Sequence, residues 1–196
     1  MMAASQWNSL EAVKLAVAVL TPLLLVGLGV VINRAARRVE EAQWAGRKLV
    51  ERRLELYDAM APLLNDLYCF FECVGTFRDV EPPKAVELKR ELDKTFYVNR
   101  FLFTPPFSER YNAFMDACFK TFTGSGENAK LSAPVSQQKR ERGTGWDDAW
   151  APLFVPEEEL SSSGVDRRSV FTARYTALME CFADQLGIGA TSAGPS

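Results

Sequence analysis

LAVAVLTPLLLVGLGVVI, residues 15–32, is a run of eighteen residues without a charge. As a helix it covers about 27 Å, close to the roughly 30 Å hydrocarbon core of a bilayer, and Val13 with a snorkelling Lys14 extends it. The sequence therefore predicts a transmembrane helix over 13–33. Before it stand only Lys14 and the amino terminus, partly offset by Glu11; after it come Arg34, Arg37, Arg38, Arg47, Lys48, Arg52 and Arg53. By the positive-inside rule residues 1–12 form a short segment outside, and the domain over 34–187 lies in the cytoplasm beneath a cell inner membrane. Trp7 is expected at the outer headgroups, with Arg34, Arg37, Arg38, Arg47 and Lys48 facing lipid headgroups on the inner side. Trp44 marks either an interface or a contact with the bundle. A cleaved signal peptide is the competing reading, but its basic residues precede a shorter apolar stretch, whereas here the basic cluster follows a longer one.

Working outward, the chain from Arg34 to Phe77 contains no Gly or Pro except Gly46, Pro62 and Gly75. It is expected to leave the membrane as one continuous helix. Steps of four and three connect Ala42, Gly46, Leu49, Arg53, Leu56, Met60, Leu63, Leu67, Phe70, Val74 and Phe77, a heptad seam with one charged member. Val50, Leu54, Tyr57, Leu64 and Phe71 widen it, so after Leu49 the helix reads as the central member of a bundle. Pro62 predicts a kink near residues 58–62. Arg34 to Arg53 carries seven basic residues against Glu40, Glu41 and Glu51. That balance suits anionic lipid, and its acids and sparse aromatics argue against nucleic acid.

Further helices follow. Pro82 and Pro83 fit a first helical turn, and 84–103 should bury Val86, Leu88, Leu92, Phe96, Tyr97, Val98 and Phe101 to Phe103. Thr104 should cap a third helix whose Tyr111, Phe114, Met115, Cys118, Phe119 and Phe122 recur at helical spacing. A fourth is expected near 166–186, with Phe171, Tyr175, Leu178, Met179, Phe182 and Leu186 on one stripe and Gly187 at its end. Between them, 123–164 reads as a long loop. Its 137–143 portion is expected to be mobile, while Trp146, Asp147, Asp148 and Trp150 form either a partner-binding patch or a hydrophobic clasp on the bundle. Residues 188–196 lack side chains that would hold structure and read as a disordered tail.

The chain has no histidine, which removes Ser-His-Asp and Cys-His nucleophiles, histidine acid–base catalysis and most transition-metal sites. Cys69, Cys73, Cys118 and Cys181 fall in apolar helical patterns, so neither disulfides nor a four-thiolate zinc site is expected. Glu72 and Asp66 are acids near apolar positions; a solvated or salt-bridged role is favoured over that of a buried base. The turn from Gly124 to Asn128 lacks the Gly-Lys-Ser/Thr of a phosphate loop and no strand is expected before it. No cofactor and no enzymatic activity are expected.

Gln43-Trp44-Ala45, Glu55-Leu56-Tyr57-Asp58, the run from Ala61 to Cys69, Lys89-Arg90-Glu91-Leu92-Asp93 and the stretch from Phe119 to Gly126 resemble small bacterial single-pass membrane proteins. That resemblance covers about two-thirds of the chain and implies an inner-membrane setting without any activity. The sequence as a whole predicts an all-α protein, a transmembrane helix continuing into a cytoplasmic bundle of about four helices. The expected role is a membrane-tethered interaction or scaffolding module. Its partners would be membrane lipids, an unidentified protein and a second copy of itself, with no nucleic acid. The alternative is an effector or toxin whose span oligomerises and perturbs the membrane on a cytoplasmic signal.

Overall fold

A computed structural model describes residues 9–121, 128–161 and 167–187; within the first helix, side chains are described at 14, 18, 20, 28–38, 43, 44 and from 46 onward. The chain divides into two compact units, Met1–Lys48 and Leu49–Ser196. Helix α1, Ser9–Glu72, contributes backbone to both. The remaining helices are α2 (Pro82–Asn99), α3 (Pro105–Cys118), α4 (Val135–Arg142), α5 (Glu157–Ser161) and α6 (Arg167–Gln185). A short antiparallel ladder pairs β1 (Phe119–Lys120) with β2 (Lys130–Leu131), with Phe119 opposite Leu131. The helical class is as the sequence predicts.

In the first unit, Leu28, Val30, Val31 and Ile32 are all exposed, as are Arg34, Arg37, Arg38, Trp44, Arg47 and Lys48. The span expected over 13–33 is not shown: among the described residues no helix is long and apolar enough to cross a membrane. Most side chains of the 15–32 run lie outside those described, as do Trp7 and the 188–196 tail.

The second unit holds the core. From α1 it takes Leu56, Met60, Leu64, Leu67 and Phe70, so of the heptad seam Leu56, Met60, Leu67 and Phe70 are buried, Leu63 is partly buried and Val74 is exposed, while Leu49, Val50 and Leu54 also remain exposed. Pro62 sits within the helix without ending it. The end comes earlier than the sequence suggests, at Glu72, where Cys73 takes a positive φ of 55° and the Val74 amide donates to the Cys69 carbonyl at 3.1 Å. That six-to-one bond is a Schellman closure, normally built on glycine at the left-handed position. Residues Phe77–Asp79 then form a 3-10 turn before α2.

Pro82 and Pro83 open α2 as expected, but Tyr97, Val98 and Phe101 are exposed rather than buried, Phe101 at 90%. Leu88, Leu92 and Phe96, each four apart, already occupy the inward face of α2. Val98 falls about 200° around the helix from Phe96, and the 3-10 turn Arg100–Leu102 follows the helix end. On α3 Tyr111, Phe114, Met115 and Cys118 are buried as expected, but the helix ends at Cys118, Phe119 is buried from β1 and Phe122 lies outside the described residues. Thr104 caps with its carbonyl, accepting from Phe107 and Ser108, and not with its hydroxyl. Stacked rings tie these helices together: Phe96 with Tyr111 at 4.1 Å, Phe103 with Phe107 at 4.4 Å, and Tyr68 of α1 with Tyr175 of α6 at 4.3 Å. Such pairs contribute about 0.5–1.5 kcal/mol beyond area burial.

The segment expected to be a long loop is largely structured where described. Leu131 is fully buried and its carbonyl accepts from the Val155 amide at 2.9 Å. The portion expected to be mobile, 137–143, is mostly α4, and two of its polar side chains, Gln138 and Arg142, are buried. Sequence periodicity misses this because the inward residues are polar. The β1 strand also precedes the glycine turn, contrary to the sequence expectation, though the turn itself, over 124–128, lies almost entirely outside the described residues.

Candidate functional site

Glu72, the last residue of α1, is buried although it carries a carboxyl group. A buried carboxylate needs a partner, and Arg168 near the start of α6 supplies one: its Nε donates to Glu72 Oε2 at 2.5 Å, with Thr172 Oγ1 at 3.5 Å from Oε1. The bond to Glu72 raises the Arg168 guanidinium above its ordinary value. Of the two sequence readings for Glu72, the salt-bridged one is what the structure places here.

This ion pair lies in a cleft of about 770 Å³ in the second unit. Its walls come from the end of α1 (Phe71, Glu72), from α3 (Asp116, Ala117), from the link between β2 and α4 (Ser132 to Pro134), from α4 (Gln137) and from α6 (Arg167, Arg168, Val170, Phe171, Arg174). Arg167, Val170, Phe171 and Arg174 are three, four and seven apart, so α6 offers one stripe of cation, apolar pair and cation over about 10 Å. Phe71 and Phe171 meet at 5.4 Å and form an aromatic wall. Three cations face two carboxylates, and one of those carboxylates is already held by Arg168.

Arg167 and Arg174 are each steadied by one backbone carbonyl. Arg167 Nη2 donates to Ser132 O at 2.9 Å, and Arg174 Nη1 to Ala113 O at 2.9 Å. A guanidinium has five N–H donors in a planar fork, so one bond fixes its direction and leaves donors for a ligand. Among the described residues neither is paired with a carboxylate. Burial pulls Arg167 below the ordinary arginine value, but arginine keeps its charge in proteins. Chemically the cleft can hold an anionic group on a cation while an apolar body lies on Phe71 and Phe171.

A second arginine site adjoins the α1 terminus, and it is closed. Arg142 is buried; its Nη2 donates to the carbonyls of Phe77 at 2.9 Å and Val80 at 2.7 Å, and its Nε to Gln138 Oε1 at 3.1 Å. Gln138 in turn donates to Phe70 O at 2.9 Å and reaches Cys73 Sγ at 3.3 Å. The guanidinium lies within 6 Å of the ring centroids of Phe70, Phe77 and Trp150. This junction fastens α4 to the turn after α1.

Trp146 and Trp150 pack partly buried against the core, edge to face at 5.6 Å. Asp147 and Asp148 are exposed; Asp147 accepts from the Ala149 amide, and Asp148 from Lys139 Nζ and Trp146 Nε1, both at 2.9 Å. Those bonds, Lys139 first, hold the Asp148 carboxyl below the usual carboxylate range. The headgroup set Arg34, Arg37, Arg38, Arg47 and Lys48 stands in the first unit, apart from the cleft in sequence. The four cysteines are free thiols, three of them buried. Among the described residues no group of His, Cys, Asp and Glu gathers as a metal would require. Sequence reading did not single out Arg167, Arg168 or Arg174. Two cations seven apart bracketing the apolar pair Val170 and Phe171 are the pattern that marks them.

Comparison with family models, with curated proteins and with solved structures returns no match to this chain.

Proposed function

We propose that the protein is a membrane-tethered helical interaction module, in which a bacterial inner-membrane span holds a cytoplasmic bundle whose cleft binds an anionic group. The observation that carries the binding half is the cleft itself: two directed guanidinium forks above an aromatic wall, with the one buried acid already neutralised by Arg168. That arrangement recognises charge and apolar surface. It offers no histidine and no nucleophile–base pair, so binding fits it better than catalysis.

The tether half rests on the uncharged run 15–32 and is supported by the exposure of Leu28, Val30, Val31 and Ile32. Successive residues of a helix point 100° apart, so Leu28 and Ile32 share one side of the helix while Val30 and Val31 present apolar surface on others, as on a lipid-facing helix. The basic cluster that follows orients the bundle to the cytoplasm and meets anionic headgroups. A protein partner and a second copy of the chain are the further partners we propose, through the uncovered Leu49, Val50, Leu54, Val98 and Phe101 of the second unit.

Membrane fractionation tests the tether, and crosslinking in intact cells tests the binding. The full chain is expected to stay with membranes through alkaline carbonate, and a chain lacking residues 1–33 to be released; carbonate extraction of the full chain would overturn the tether. Crosslinked species are expected from the wild-type protein and to be depleted in Arg174→Gln. An unchanged pattern would overturn the role of the cleft.

A further inference from the structure

We propose that the cleft takes a small amphipathic anion, a carboxylate or phosphate carried on an aromatic or aliphatic body, and that Arg167 and Arg174 on α6 read its charge. This deepens, and rests on, the reading of the cleft as a binding site. Its volume of about 770 Å³ suits a small molecule, within the roughly 300–1,000 Å³ usual for such sites. The stripe on α6 sets the ligand's form. Val170 and Phe171 lie between the two guanidiniums, so an anion held by either fork runs its body over apolar surface. Phe71, Ala117, Ala133 and Pro134 continue that surface on the facing walls.

The Glu72–Arg168 pair sets the sign. A buried carboxylate repels an incoming anion unless a cation holds it, and Arg168 Nε does so at 2.5 Å. Asp116 is exposed, where solvent screens it. The carbonyl anchors at Ser132 and Ala113 belong to different elements, so the two forks are fixed independently before a ligand arrives. Arg110 gives an internal contrast. It too donates to a helix carbonyl, Ala177 O at 3.0 Å, but stands exposed outside the cleft.

The test uses the full chain in nanodiscs of zwitterionic lipid, with empty nanodiscs subtracting partition into the bilayer. The probes are 4-phenylbutyrate, phenyl phosphate, the neutral 4-phenylbutanol and 4-phenylbutylammonium, followed by calorimetry and ligand-detected NMR. At least one anion is expected to bind at least tenfold more tightly than the alcohol, and the ammonium not at all; the relative affinity of the two anions tells carboxylate from phosphate recognition. Arg174→Gln is expected to weaken the anion at least tenfold with an unchanged circular-dichroism spectrum, while Arg110→Gln leaves it unaffected. Equal binding of alcohol and anion, or an Arg174→Gln protein that binds normally, overturns the proposal. If neither anion binds but Arg174→Gln still depletes the crosslinked species in cells, the small-ligand class falls and the cleft remains a binding site. If both fail, both readings fall.

Discussion

Arg142, at the turn after α1, and Arg174, in the cleft, make opposite use of the same side chain. Arg142 is enclosed: carbonyls of the turn after α1, the Gln138 amide and three ring faces take up its donors and its charge. Arg174 is half-buried, bonded to one carbonyl and open to a cleft. A guanidinium enclosed by several acceptors and ring faces holds a fold together, whereas one that is aimed by a single bond and open to a cleft is equipped to bind. Predicted consequences for stability and binding should therefore separate between the two.

The largest stability effect belongs to Arg142. Arg142→Met removes charge-assisted bonds to Phe77 O and Val80 O and leaves both carbonyls buried, costing about 3 kcal/mol. Arg142→Lys keeps the charge but not the fork and is expected to recover less than half of that. Urea titration with near-ultraviolet circular dichroism measures both. A neutral Arg142→Met would mean that α4 docks through its apolar contacts alone.

Tyr111 comes next and brings a pH dependence. It is fully buried, its hydroxyl donates to Asp93 Oδ1 at 2.9 Å, and Asp93 pairs with Lys89. Burial first, then the Asp93 charge, pushes the Tyr111 phenol far above its ordinary value. A raised folded-state value means that the native protein keeps this proton where the unfolded chain has lost it. The stabilisation is complete below about pH 10 and declines above it by about 1.4 kcal/mol per pH unit. The buried Cys118 thiol, also raised, adds the same sign from about pH 9. Tyr111→Phe is expected to lower stability at pH 7 by about 1–2 kcal/mol and to flatten the alkaline decline. Urea midpoints from pH 8 to 11.5 read both, and an unaltered slope would place the alkaline sensitivity elsewhere.

Arg174→Gln sharpens the comparison from the other side. Its cation is partly solvated, so the folded bundle is expected to lose less than about 1 kcal/mol while anion binding collapses. A loss as large as that of Arg142→Met would show that Arg174 is also a structural fastening and would blur the distinction.

What the sequence discloses follows from how each residue is buried. The stripes from Leu56 to Phe70 on α1 and from Tyr111 to Cys118 on α3 are apolar at helical spacing, and they fold as their pattern says. Gln138 and Arg142 defeat the same reasoning, because a polar side chain buried by satisfying distant carbonyls leaves no periodic trace. Val98 and Phe101 defeat it in reverse: apolar residues beyond a helix's inward face look like core until the neighbouring face is seen to be filled. The cleft was legible only in part. Phe171 belongs to a visible stripe, but bringing Glu72 to Arg168 takes a contact across 96 residues.

The remaining effect concerns the residue that joins the two arginine sites. Glu72 lines the cleft and Cys73, next in the chain, meets the Arg142 junction through Gln138. Cys73 does so from a left-handed backbone, φ 55°, which costs a residue with a Cβ about 1 kcal/mol relative to glycine. The Schellman bond from Val74 to Cys69 demands that conformation, so it is imposed by the helix end and not chosen by the side chain. Cys73→Gly is expected to stabilise the bundle by up to about 1 kcal/mol, offset by the loss of a weak sulfur contact. Cys73→Asn should be near neutral, and Cys73→Val, β-branched at positive φ, should destabilise by about 1–2 kcal/mol. Urea midpoints at constant slope give the order Gly, Asn, Cys, Val from most to least stable. Should valine equal cysteine, the turn relaxes out of the left-handed region, and Glu72 and the junction are then not held in register by this residue. If the order holds and Cys73→Val also weakens anion binding, the helix end couples the closed site to the open one.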